Sequence, residues 1–193
     1  AFLRGLVPFV FRKYLDYAAI ADIHSIKRQI HVHKGHGEIA VKGHNVKLGR
    51  GGIREIEFFV QTQQLIAGGR VPALRQRATE PMLAELAKAN WIDVATADEL
   101  TEAYWFLRDV EHRVQMVRDE QTHLLPETEA ELKRIAFMLG FVDTASFSAK
   151  LVEVLKAVER RYAALFEQEA KLSSEAGNLV FTGQKDDPDT LET

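Results

Sequence analysis

The strongest constraint on this fold is a helix-period signal that runs through the second half of the chain. Phe147, Leu151, Val154, Leu155, Val158, Tyr162 and Leu165 recur at the 3.6-residue period. They predict one long helix from near Ala145 to about Leu172, with a single apolar stripe to bury. Three shorter periodic stretches precede it. Thr79 with Pro81 opens a helix that Asn90 ends. Thr96 and Glu99 stand at capping-box spacing and open a longer helix to about Arg118. Thr128 and Glu131 repeat that spacing before a helix that Gly140 stops. Several antiparallel helices joined by connectors of ordinary length imply a helical bundle.

The first half is less regular. Pro8 suits a first helical position, where its missing N–H costs nothing, and the pattern from Phe9 stays helical to about His33, with Gly35 as the stop. Ile39–Val41 and Asn45–Leu48, joined across Lys42-Gly43-His44, predict a short β-hairpin. A second helix is expected from Ile53 to Ala67, ended by Gly68-Gly69, with Pro72 marking a connector. From Ser173 onward the residues offer little to bury, so a mobile tail is expected. The fold class is therefore mainly α, a helical bundle with a short β-hairpin.

Composition narrows the function classes. Hydrophobic residues make up 46% and charged residues 27%, the balance of a soluble globular protein. A net charge of -3 argues against broad attraction to nucleic acid. No apolar run is long enough to span a membrane, and no signal-peptide pattern opens the chain. The chain has no cysteine, which excludes disulfides and thiolate metal sites and is compatible with a cytoplasmic setting.

The run most suggestive of chemistry is Lys47-Leu-Gly-Arg-Gly-Gly-Ile-Arg54. Three glycines enter a helix start, where positive φ and close backbone approach can aim several N–H groups at one anion. Lys47, Arg50 and Arg54 place full charges around the same spot, and Gly51 and Gly52 lie at its bend. These five residues form a candidate phosphate cradle. The competing reading is a Gly-rich turn whose helix N-terminus is satisfied from within the chain by Glu55 and Glu57.

Further along that helix, Arg54, Glu57, Gln61 and Gln64 share one polar seam among Ile53, Ile56, Phe58, Phe59 and Val60. A helix this hydrophobic is expected to be largely buried, so the seam needs partners, with an internal Arg54–Glu57 pair the favoured reading. Glu111 lies on the apolar face of its own helix, beside Leu107, Val110 and Val114. It calls for a cation: Arg54 across the fold, or Arg108 at i, i+3. Five of the seven histidines fall between His24 and His44. A metal site from His31, His33, His36 and His44 has no diagnostic spacing, and His24, Lys27, Arg28 and His31 fit a solvated basic helix face better.

Taken together, Phe9-Val-Phe-Arg-Lys-Tyr-Leu-Asp-Tyr17, Lys47–Phe58, Ala103-Tyr-Trp-Phe-Leu107, Glu111-His-Arg-Val-Gln-Met116, Asp119-Glu-Gln-Thr-His123 and Leu179–Pro188 resemble the bacterial glutamine synthetase adenylyltransferase/adenylyl-removing enzyme family. The resemblance runs over nearly the whole chain in order and spacing. It implies two related nucleotidyltransferase halves, one attaching AMP to a tyrosine of glutamine synthetase and one removing it by phosphorolysis. The blocks Glu111-His-Arg113 and Gln121-Thr-His123 are closer to the first, adenylyl-removing half.

The same resemblance implies Mg²⁺ and ATP or ADP as cofactors, with glutamine synthetase and a PII-type signalling protein as partners. It divides the chain into a C-terminal remnant of a nucleotidyltransferase domain (1–70), a helical bundle (71–172) and a linker tail (173–193). The family's Mg²⁺-binding acids precede the segment that Phe2–Tyr17 resembles. The expectation is therefore a piece without catalytic or metal-binding residues of its own, inactive alone. Against it stand an interaction scaffold for the regulator or the second catalytic half, and a histidine-based metallohydrolase.

Overall fold

A computed structural model describes residues 2–12 and 39–175, with backbone only at Leu3, Arg4 and 165–175. Two compact units divide the chain, Ala1–Tyr162 and Ala163–Thr193, and the packing described below belongs to the first. The described residues form α1 (Phe2–Val10), α2 (Ile53–Ala67), a 3₁₀ turn (Pro72–Leu74), α3 (Thr79–Lys88), α4 (Val94–Arg118), α5 (Glu129–Met138) and α6 (Thr144–Glu175). Among them no helix is long and apolar enough to cross a membrane.

The periodic stripe of α6 is the spine of the core. Phe147, Leu151, Val154, Leu155, Val158 and Tyr162 are all buried, while the Leu165 side chain lies outside the described residues. α4 contributes a matching stripe of Leu100, Ala103, Leu107, Val110 and Val114, and α3 adds Met82, Leu83 and Leu86. α3 packs most extensively on α4, α2 touches both, and α5 closes on α4 through Leu132, Ile135 and Ala136. Burial of an aliphatic side chain contributes about 1.5–3 kcal/mol, so these stripes outweigh any local cap. The link between α5 and α6 is anchored by Phe141, edge-on to Phe147 at 5.6 Å.

Helix ends follow local chemistry. The predicted cap at Thr128 is present: its hydroxyl accepts from the Glu131 amide and donates to the Glu131 carboxylate at 2.6 Å. The predicted cap at Thr96 is displaced by one turn. Asp93 caps α4, accepting the Thr96 amide on Oδ1 and the Thr96 hydroxyl on Oδ2, both at 2.7 Å. A carboxylate with two acceptors captures the helix start ahead of a hydroxyl. Glu99, expected in a capping box, instead bridges to Arg160 at 3.0 Å and Arg161 at 2.6 Å on α6.

Two expectations for the first half are corrected. Pro8 lies inside α1, near its end, and the helix stops at Val10. An interior proline removes the hydrogen bond to the carbonyl four residues back and crowds it, and α1 ends two residues later. The continuation expected to His33 falls at 13–38, outside the described residues. The β-hairpin does not form, and no strand occurs among the described residues. Asn45 Oδ1 accepts the amides of Lys47 and Leu48, which folds that segment into turns. What pairing survives is a single antiparallel bridge from Asn45 to Leu124, far along the chain, rather than to residues 39–41. A side-chain turn competed locally with the ladder and won.

Candidate functional site

The glycine run leads into α2 as a tightly bonded turn. Val46 N–H donates to His123 O, Gly49 N–H to Asn45 O, and Gly52 N–H to Gly49 O, at 3.0, 2.7 and 3.0 Å. Ile53 and Arg54 N–H reach back to the carbonyls of Val46 and Lys47. Gly51 N–H donates to Glu55 Oε2 at 3.0 Å in a buried bond. Arg50 aside, each amide from Val46 to Glu55 thus has an acceptor within the chain. The acid expected to satisfy the helix start does so, and it is Glu55 rather than Glu57.

Glycine is required here by packing as well as by conformation. Gly51 adopts φ +73°, and a Cβ on it would overlap the Leu155 carbonyl of α6. At Gly52 a Cβ would lie 2.7 Å from Val46 O. The bend is therefore pressed against the bundle backbone. Tyr162 on α6, edge-on to Phe58, has its hydroxyl held well above the ordinary tyrosine range, first by burial and then by the Glu55 charge.

All three cations of the run face carboxylates. Arg50 pairs with Glu159 of α6, and Arg54 pairs with Glu57 at 3.3 Å as expected. The polar seam they belong to is turned outward: Arg54 and Gln61 are exposed, and Gln64 donates to Gln76 O at 2.6 Å. The buried polar groups of α2 are Glu55, Thr62 and Gln63 instead. The apolar residues flanking the seam are buried as expected at Ile53, Ile56, Phe59 and Val60, but the seam itself is left toward solvent.

Lys47 goes elsewhere. Its Nζ lies 3.6 Å from Oε1 of Glu111, a carboxylate only 2% exposed. Arg108 Nη1 approaches the other oxygen at 2.5 Å, and His123 Nδ1 lies 2.7 Å from Oε1 at an angle off a well-directed hydrogen bond. The sequence marked Glu111 as needing a cation, and the i, i+3 partner Arg108 is present. Arg54, the long-range partner expected, is not. Lys47 and His123 take that place, brought there because the turn and the 122–125 segment bond through Val46, His123, His44 and Leu125. No sequence spacing could have found them.

Among the described residues no three histidine, cysteine, aspartate or glutamate side chains stand close enough to hold a metal. Mg²⁺ therefore has no fitting ligand set among them. His31, His33 and His36, like the basic face His24, Lys27, Arg28 and His31, lie outside the described residues.

Comparison with known proteins places this geometry in context. The family model described as GlnD PII-uridylyltransferase matches residues 24–168. A bifunctional glutamine synthetase adenylyltransferase/adenylyl-removing enzyme from Agrobacterium fabrum (strain C58 / ATCC 33970) is 82% identical over 100% of this chain, which covers 19% of that protein. The enzyme of the same name from Rhizobium meliloti (strain 1021) is 83% identical, again over 100% of this chain and 20% of its own length. One from Caulobacter vibrioides (strain ATCC 19089 / CIP 103742 / CB 15) is 55% identical over the same shares. The chain spans about a fifth of the length of the curated relatives it matches.

Proposed function

The chain belongs to the GlnD PII-uridylyltransferase family, and from that premise we propose that it is a section of a two-activity enzyme acting on glutamine synthetase. The whole protein would attach AMP to a glutamine synthetase tyrosine and remove it by phosphorolysis, controlling nitrogen assimilation. Identity of 82–83% along the whole chain to enzymes of that name is the observation that carries this reading. It outweighs the uridylyltransferase description of the broader family. The adenylyl-removing half is the assigned location, and the cytoplasm the assigned compartment. A PII-type protein is the proposed regulator, with Mg²⁺ and ATP or ADP as cofactors of the whole enzyme. Nucleic acid and membrane are not among the proposed partners.

Within that enzyme, the turn at Lys47, Arg50, Gly51, Gly52 and Arg54 is proposed as a cationic face toward phosphate. Arg50 aside, its amides are already engaged, so the contribution comes mainly from side-chain charge: each cation exchanges an internal carboxylate for a phosphoryl oxygen. Phosphoryl-type transfer depends on such positioning and neutralisation rather than on a protein nucleophile. The packed glycine bend keeps the charges in register against α6.

The same saturation of amides and cations favours a second reading, a helical scaffold that receives the regulator or spaces the catalytic halves. Lys47→Gln and Arg54→Gln in the complete enzyme separate the two. A phosphate face predicts a fall in phosphorolysis of about tenfold or more per charge, with melting temperature unchanged. Unaltered phosphorolysis in both correctly folded variants would establish the scaffold instead.

A further inference from the structure

The cluster around Glu111 has more positive charge than its one acid can neutralise. Lys47 and Arg108 bring two cationic side chains to one carboxylate, so the cluster carries one excess positive charge without counting His123. The three basic side chains are 32%, 30% and 23% exposed, against 2% for Glu111. The carboxylate is sealed beneath them while part of each basic group meets water. At 3.6 Å the Lys47 ammonium is beyond hydrogen-bond length from Glu111, so its three donors are not consumed there. Arg108 directs Nη1 at Glu111, and a guanidinium has five N–H donors in a planar fork. His123 Nδ1 is buried, yet the ring is partly exposed, so another part of it faces solvent.

Lys47 and His123 share one carboxylate oxygen and Arg108 holds the other. The three basic groups therefore ring one acid, although they come from three separate places in the chain. A net-positive ring with spare donors and a buried internal counter-charge is suited to one external oxyanion. Glu111 fixes the positions, and the visitor supplies the missing negative charge.

We infer that Lys47, Arg108 and His123 form an oxyanion-binding site over Glu111 that takes a phosphoryl-type tetrahedral anion. This rests on the proposed cationic face through Lys47 alone and adds Arg108 and His123 to it. Glu111 is a positioning residue. The anion is free phosphate or the phosphate of a nucleotide, two sources with the same recognition chemistry.

Titrating inorganic phosphate and, separately, ADP into the 193-residue chain tests the site, with calorimetry for affinity and ¹H–¹⁵N spectra for location. Saturable binding is expected, with shifts centred on Lys47, Arg108 and His123. Lys47→Gln and His123→Gln should weaken it about tenfold each, and Lys88→Gln, far along α3, should not. Arg108→Gln strips a buried acid of a partner, so Arg108→Gln/Glu111→Gln serves beside it. That pair keeps the net charge of the ring but removes the guanidinium fork, and it too should weaken binding. Tighter ADP than phosphate assigns the anion to nucleotide; equal or weaker ADP assigns it to free phosphate; both support the site. Absence of saturable binding overturns it. So does wild-type affinity in the Arg108 double variant and His123→Gln, even where Lys47→Gln and Arg54→Gln lose affinity; that pattern would leave the turn reading standing.

Discussion

At Gly51 the turn gives up every alternative side chain. Positive φ costs an L-residue about 1–2 kcal/mol, and the Leu155 carbonyl occupies the space a Cβ needs. Gly51→Ala is therefore expected to lower unfolding free energy by about 3 kcal/mol or more in denaturant titration, through movement of α6 as well as backbone strain. A cost below about 1 kcal/mol would mean the bend is not held against α6. Glu111 behaves differently because its partners are unequally placed. Glu111→Ala leaves Lys47 and Arg108, each partly hydrated, so a loss of about 2 kcal/mol is expected. Lys47→Ala leaves Glu111 with Arg108 and His123 and should cost less than about 1 kcal/mol. Equal costs would count against the ordering by burial. Glu111 was legible as an anomaly, a carboxylate on an apolar stripe, but the identity of its long-range partners was not.

Among the elements, α6 and α2 were read from periodicity with their core faces and ends largely right for α6. For α2 the bounds Ile53–Ala67 match and Ile53, Ile56, Phe59 and Val60 are buried as expected, but the polar seam beside them is not. A stripe as clean as that of α6 has one way to be buried. Which polar groups of α2 are buried with that apolar set, Glu55, Thr62 and Gln63, was chosen by its neighbours. Caps separate similarly: Thr128 acts as its spacing suggests, whereas Asp93 took over from Thr96. The Asp93 carboxyl is held below the usual carboxylate range, first by the Thr96 hydroxyl and then by the Thr96 amide. A depressed native pKa contributes stability that is present above the ordinary value and lost as pH falls through the native one. Asp93→Asn should therefore flatten the acid limb of the melting temperature against pH, with Asp143, similarly held by Ser146, as a further contributor. An unchanged acid limb would remove the cap from that account.

For the molecule as a whole, the candidate site depends on contacts between distant segments. Residues 44–46 bond to 123–125, Gly51 seats on α6, and Arg50 reaches Glu159. The turn is thus part of the bundle's packing and not a loop hung from it.

Helix period, capping chemistry and glycine placement are local properties, written within a few residues, and from them the sequence determined a helical bundle, its long apolar spine and the bend into α2. Tertiary structure decided which polar groups of α2 are buried, whether residues 39–48 pair with each other or with a distant segment, and which cations surround Glu111. Those outcomes depend on groups brought together across many tens of residues, where burial and charge compensation are set by neighbours that no local pattern specifies.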